Sequence, residues 1–309
     1  MTVLTGAHME GAIAITGANS AAGRALLATA GAPPLIACVR SARAEAQLGA
    51  LPAGVRVAQI DYARPDTLRA AFANARAVVH LPGLLVERRD ASYAQANVET
   101  VEAVLAALPR DRALKLVLVS AVGADARSAN RYYATKGQAE DRVRAAPVES
   151  AILRAPLLLG PGTEGEAALL RQLAGPRVRL LGGGRQLQQP LDVRDLARAA
   201  LRAAEPGVAA GRTLDVVGPE SLPYRELLER TARLAGRPLE VGTLPVPLAA
   251  LRLLLRARQR LLGPGFSEDA LQVIMDECDL DPGPAASVLG APRPLDETLL
   301  DVARRGLAA

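Results

Sequence analysis

The chain has 309 residues, half of them apolar, a net charge of +5, no Trp, two Phe, five Tyr, two Cys and two His. That length buries a large core in one domain, or in a domain with a smaller lobe, and no uncharged run approaches the roughly 18–20 residues that a membrane span needs. Cys38 and Cys278 show neither CxxC spacing nor a histidine cluster, which sets aside metal and disulfide frameworks and suits a reducing cytoplasm, and basic residues scattered among acids with few stacking aromatics argue against nucleic acid.

Residues 1–10, MTVLTGAHME, lack a basic start followed by an apolar stretch and read as a loose leader. GAIAIT then reads as a strand, GANSAAG as a glycine-bounded turn and RALLATA as a helix. PLIACVR, VRVAQID, ARAVVHL and LKLVLVS follow as runs fit for buried parallel strands, with ESAILRA a sixth. Helical stretches separate them at residues 42–48, 65–75, 93–108 and 132–145. This alternation predicts an α/β fold, a doubly wound parallel sheet of the Rossmann type over residues 11–159, with a smaller substrate lobe and returning core segments over 160–309.

Ligands of such sheets sit beyond the carboxyl ends of the strands. Gly17, Asn19, Ser20, Ala21, Ala22 and Gly23 lie at the first such end, where small residues let the backbone approach a pyrophosphate and a helix N-terminus offers free N–H groups. Arg40 closes the second strand, where a carboxylate would accept from a ribose 2′-hydroxyl; a guanidinium there pairs with a 2′-phosphate, favouring NADP(H) over NAD(H). Arg43 can assist, and the alternative is a solvated arginine at a strand exit. Asp61, ending the third strand, either binds an adenine amino group or starts a turn before Pro65.

In RYYATKGQAE, Tyr132 and Lys136 are spaced i, i+4, one turn apart on one helix face. An ammonium beside a phenol lowers a pKa of about 10, so Tyr132 is the candidate acid/base. Tyr133 points elsewhere, to pack or to touch substrate, and Ser120 closes the fifth strand where it can hold a reacting oxygen. His80, within AVVHL, reads as a buried strand histidine.

Taken together, TGANSAAG, DYARPDTL, VVHLPG, ANVET, VSAVGAD, RYYATKGQAE, ILRAPLLLGPG and QQPLDVRDLARA resemble the short-chain dehydrogenase/reductase superfamily, in its atypical or extended branch related to the NAD(P)H-binding accessory subunit of respiratory complex I. The resemblance runs over nearly the whole chain. It implies pyrophosphate binding at Gly17–Gly23, NADPH selection by Arg40 and adenine contact by Asp61. It further implies a cofactor-lining backbone at Leu81, Pro82 and Gly83, a helix-borne Asn97, and a Tyr132–Lys136 pair whose lysine also binds the nicotinamide ribose. Three positions depart from the family pattern: Ser20 or Ala21 at its middle glycine, Pro82 for a commoner alanine, and Ala121 where its catalytic Ser/Thr usually stands.

The expected activity is hydride transfer between NADP(H), with NAD(H) as second choice, and a carbonyl or alcohol. The alternative is an NADPH-binding accessory or sensor protein that never turns its nucleotide over, docked on a membrane respiratory complex. Asp192 and Asp195 read as helix caps, and Gly182–Gly184 as a loop. In PVPLAALRLLLRARQRLLG, Arg252, Arg256 and Arg260 form a stripe, with Leu248, Leu251, Leu255 and Leu262 facing elsewhere. This helix over 247–262 reads first as a lid over the cleft and second as a peripheral contact with anionic lipid.

Overall fold

The computed structural model describes residues 11–308; the expected leader, residues 1–10, lies outside the described residues. Six strands come in chain order: β1 (Ala12–Thr16), β2 (Leu35–Val39), β3 (Val55–Gln59), β4 (Ala75–His80), β5 (Lys115–Ala121) and β6 (Glu149–Ala155). Between them run α1 (Ala21–Leu27), α2 (Ala42–Ala46), α3 (Pro65–Phe72), α4 (Thr100–Ala107) and α5 (Arg131–Ala145). A π-helical turn, Ala94–Glu99, leads directly into α4.

After β6 come β7 (Leu158–Leu159), α6 (Glu164–Gln172), β8 (Arg177–Leu180), β9 (Leu187–Gln188), β10 (Leu191–Asp192) and α7 (Val193–Ala203). The chain continues through β11 (Thr213–Asp215), β12 (Leu222–Pro223), α8 (Tyr224–Leu234), β13 (Glu240–Thr243), α9 (Leu248–Leu262) and α10 (Glu268–Met275). It closes with α11 (Ala286–Leu289) and α12 (Leu295–Ala308).

The main sheet has the order β11-β6-β5-β4-β1-β2-β3, and every pairing in it is parallel. Strand order reverses between β1 and β4, the switch point where open α/β sheets take ligands. Alternation along the strands sorts the core into two layers. Ile13, Ile15, Val39, Val79, Val117 and Leu153 face α1, α7 and α11, while Ala14, Ile36, Val78, Leu116, Leu118 and Ile152 face α3, α4 and α5. Each fully buried aliphatic side chain contributes about 1.5–3 kcal/mol, so strands covered on both faces carry uninterrupted apolar runs. β3 departs from the expectation of a buried strand. It is the sheet's edge, and Val55–Gln59 is half exposed because only β2 pairs with it.

Past β6 the chain returns three times to this core, with α7 against α1, β11 as the seventh strand and α11 against α7. The intervening and later pieces gather around Leu159, Leu169, Leu180, Leu227, Leu228, Leu295 and Leu299 as a smaller cluster. Asp192 joins the two regions. It caps α7 by accepting from the Arg194 N–H at 2.8 Å, and it accepts from Thr298 of α12 at 2.9 Å. Asp195, in the first turn of α7, accepts from the Arg293 backbone N–H at 2.8 Å. The Gly182–Gly184 segment forms a tight turn whose three φ angles, 56°, 72° and 67°, only glycine adopts without strain.

Candidate functional site

The sharp turn after β1 depends on Gly17 at φ +74°, where a Cβ would also press on the Pro82 ring at 3.3 Å. Ser20 caps α1, its hydroxyl accepting from Gly23 N–H at 3.0 Å, which leaves the first-turn amides of Ala21 and Ala22 for an anion. Gly23 is obligatory for packing, since a Cβ there would lie 2.4 Å from the Ala18 carbonyl oxygen. Two contacts that the sequence did not reveal brace the turn: Arg24 donates to the Asn19 carbonyl at 2.6 Å, and the Asn19 side chain donates to Gln47 at 2.9 Å.

At the switch point, Thr16 and His80 end adjacent strands and join side chain to side chain, Thr16 Oγ1 to His80 Nδ1 at 2.8 Å. His80 Nε2 meets Thr100 Oγ1 at 3.2 Å, and that hydroxyl donates to the Ala96 carbonyl. Thr100 therefore accepts from His80, which fixes the neutral Nε2–H tautomer with Nδ1 accepting from Thr16. Burial, with Lys136 adding to it, pushes His80 down to about 3. His80 is thus a structural strut, not an acid/base. Tyr62 sits edge-on to His80 and close to both Thr16 and Arg40. Arg40 is exposed at the end of β2. One oxygen of the exposed Asp61 carboxylate accepts from the Ala63 N–H at 2.9 Å, stabilising the turn into α3.

The residues after β4 and along α5 converge. A Cβ on Gly83 would lie 2.7 Å from Lys136 Nζ and 3.2 Å from Asn97 Oδ1, so both polar groups crowd one face of that glycine. The π-helical turn swings Asn97 inward, and its amide donates to Thr135 Oγ1 at 3.0 Å. Asn97 Oδ1 and Ser120 Oγ are buried with no hydrogen-bond partner. Lys136 is 6% exposed and makes one long bond, to the Val119 carbonyl at 3.4 Å. Burial pushes its ammonium down to about 8, with Glu140 opposing. Unpartnered buried polar atoms cost free energy. Two groups with spare donor or acceptor capacity, Lys136 Nζ and Asn97 Oδ1, crowd one glycine and form a cradle for a ligand rich in hydroxyls and amides.

Tyr132 and Tyr133 separate as their positions require. Tyr133 is buried, stacks on Gly123 and lies beside Asp276 and Cys278. Tyr132 is partly exposed, 5.8 Å from the Tyr93 ring in an edge-on arrangement. One expectation needs correction. The Tyr132 phenol is raised above its ordinary pKa, first by burial and then by Tyr93, and Lys136 is not among the groups that move it. The lysine ammonium is directed at Gly83 and Val119.

The start of α5 is held by groups that sequence reading missed. Asn130 caps the helix, accepting from Tyr132 and Tyr133 N–H at 3.0 and 3.3 Å, and donates to the Asp269 carbonyl of α10. Its position just before the helix was a readable cap signal. Arg131 forms a two-pronged pair with Glu87 at 2.9 Å on both prongs, and Glu87 also accepts from Tyr93 N–H. No local signal linked those residues, which are far apart in the chain.

A family model described as NAD(P)H-binding matches residues 17–177. The chain is 30% identical over 169 residues to the mitochondrial NADH dehydrogenase (ubiquinone) 1 alpha subcomplex subunit 9 of Arabidopsis thaliana, a match covering 53% of this chain and 42% of that protein. It is 32% identical over 120 residues to a ceramide reductase of Caulobacter vibrioides, covering 39% of this chain and 37% of that one. The chain thus spans less than half the length of either relative. Among solved structures, RMD from Pseudomonas aeruginosa complexed with NADPH superposes with a TM-score of 0.68 at 19% identity, over 97% of this chain and 99% of that one. UDP-glucuronic acid 4-epimerase from Bacillus cereus, in complex with UDP-glucuronic acid and NAD, gives 0.72 at 17% identity, over 96% and 99%. These structural likenesses show a shared fold.

Proposed function

The chain belongs to the NAD(P)H-binding family, and from that membership we propose an NADP(H)-dependent oxidoreductase acting on a carbonyl or alcohol carbon. The observation that carries this reading is the cradle around Gly83, formed by Lys136 Nζ and the unpartnered Asn97 Oδ1 beyond the carboxyl end of β4, with Ser120 Oγ also buried and unpartnered on β5. When bound, the nicotinamide supplies or accepts the hydride. Gly17–Gly23 hold the pyrophosphate through backbone amides, with Ala21 and Ala22 donating. Arg40 selects the 2′-phosphate form over NAD(H), and Asp61 keeps one carboxylate oxygen for the adenine amino group. Leu81, Pro82 and Gly83 line the cofactor. Lys136 donates to ribose hydroxyls, Ser120 orients the reacting oxygen, and Tyr132 exchanges the proton with it. The ceramide reductase relative supports the reductase reading.

A second reading is a nucleotide-holding accessory or sensor protein. Its support is Ala121 in place of a hydroxyl, together with the raised phenol of Tyr132, which keeps that group protonated. Following NADPH absorbance with a panel of carbonyl compounds that includes quinones separates the two. The enzyme reading expects at least one compound to oxidise the cofactor, with a loss of about 10²-fold or more in Tyr132→Phe. Bound NADPH that stays reduced against the whole panel would move the accessory reading to the front.

A further inference from the structure

The α9 helix presents an apolar surface that the lid reading does not require. Leu255 is its one buried residue, while Leu253, Leu254, Leu261 and Leu262 are 69%, 64%, 82% and 66% exposed. At about 100° per residue, Ala250, Leu253, Leu254, Ala257 and Leu261 fall within one arc of about 100°. Arg260 borders one edge of that arc and Arg258 the other. Val246 before the helix and Phe266 after it are also exposed.

Charge supplies the occupant. From Val241 to Ser267 the chain carries four arginines and no acidic residue. The acids at the start of α10 are already engaged: Glu268 pairs with Arg256 and Arg252, and Asp269 accepts from the Arg131 backbone. Arg258 turns toward the Phe266 carbonyl, and Arg260 has no acidic partner among the described residues. A leucine face edged by arginines matches the interface of an anionic bilayer, where leucines enter the acyl boundary and guanidinium groups meet headgroups.

We propose that α9 docks this protein flat on an anionic membrane through Leu253, Leu254 and Leu261, with Arg258 and Arg260 on headgroup phosphates. Because α10 joins α9 to the N-terminus of α5, this places the Tyr132 end of the sheet beside the lipid surface. The inference does not depend on the cofactor reading.

Cosedimentation of the full chain with phosphatidylcholine vesicles, with and without phosphatidylglycerol, tests it. The leucine variant is Leu254→Gln/Leu261→Gln and the charge variant Arg260→Glu, with folding checked by circular dichroism melting. Wild type is expected to pellet with phosphatidylglycerol vesicles and far less with phosphatidylcholine alone. The leucine pair should lower binding by about tenfold or more while melting as wild type does, and Arg260→Glu should weaken the preference for anionic lipid. Wild type remaining in the supernatant would overturn the proposal, as would a leucine variant that pellets equally well. So would a concentration-dependent dimer that the leucine variant abolishes while neither protein pellets, because the face would then be covered by a second copy.

Discussion

Lys136 is a buried charge held at a cost in stability. The chain is rich in arginine and has two lysines, Lys115 and Lys136, both buried. Lys115 is satisfied by the carbonyls of Glu205 and Val208 and by Glu149. Lys136 is not, and its value of about 8 means that the folded state gives up the proton more readily than the unfolded chain. The unfolded state therefore binds more protons between about pH 8 and 10.5, so the cost of burying the charge is full below pH 8 and shrinks above it. Lys136→Met should raise the Tm of the nucleotide-free protein by about 2–4 °C per kcal/mol recovered. That gain should narrow from pH 8 to 10, and NADPH affinity should fall. A lower Tm at pH 7 would show that the lysine is a structural strut.

His80 works in the opposite region of pH. Its folded value of about 3 lies below the unfolded 6.5, so unfolding takes up a proton and stability falls as pH drops from 6.5 toward 3. Urea unfolding midpoints of His80→Gln should show a shallower acid slope than wild type in that window. Among single residues, the Tyr132–Lys136 spacing and the glycine turn were legible because they are local. The meeting of Gly83 with Lys136 and Asn97 was not, because long-range packing and a π-turn create it.

At the scale of elements, strands covered on both faces announce themselves, and β6 was read to the residue. β3 was read as buried because nothing local distinguishes an edge strand from a central one. The helix expected over 93–108 is continuous but opens with the π-turn, a change in pitch that apolar periodicity does not encode. α9 misled for a different reason: leucines occur all around it, and the sequence does not say which meet the core. Leu262 was placed with the facing set and is largely exposed. The stripe arginines Arg252 and Arg256 are engaged by Glu268.

Gly137 packs so tightly under the turn after β5 that a Cβ would lie 2.0 Å from Ala126 N. Helix propensity alone makes Gly→Ala favourable by about 1 kcal/mol, whereas close packing makes it strongly unfavourable. Chemical denaturation of Gly137→Ala should show a loss of about 3 kcal/mol or more, or no folded protein, with the exposed Gln138→Ala near neutral. A stabilised Gly137→Ala would contradict this docking of α5 and with it the position of Tyr132.

For the whole molecule, the frame is the parallel sheet with its reversal between β1 and β4, and the later segments return to that frame through α7, β11 and α11. The doubly wound class followed from the strand–helix rhythm. The arrangement of the lobe did not, since short strands of two to four residues pair across long sequence separations. A nucleotide that binds only the folded protein stabilises it by about 2.7 kcal/mol at 100 times Kd, so melting with NADPH and with NADH reports on this frame directly.

In the proposed function, the carboxyl edge of the sheet binds NADP(H), with Arg40 choosing it over NAD(H). Fluorescence titration of wild type and Arg40→Ala with both nucleotides tests it most directly. NADPH is expected to bind wild type at least about tenfold more tightly than NADH, as a charge-assisted contact to the 2′-phosphate provides, and Arg40→Ala to remove the difference by weakening NADPH alone. Binding of neither nucleotide, or an NADPH preference that survives in Arg40→Ala, would contradict it.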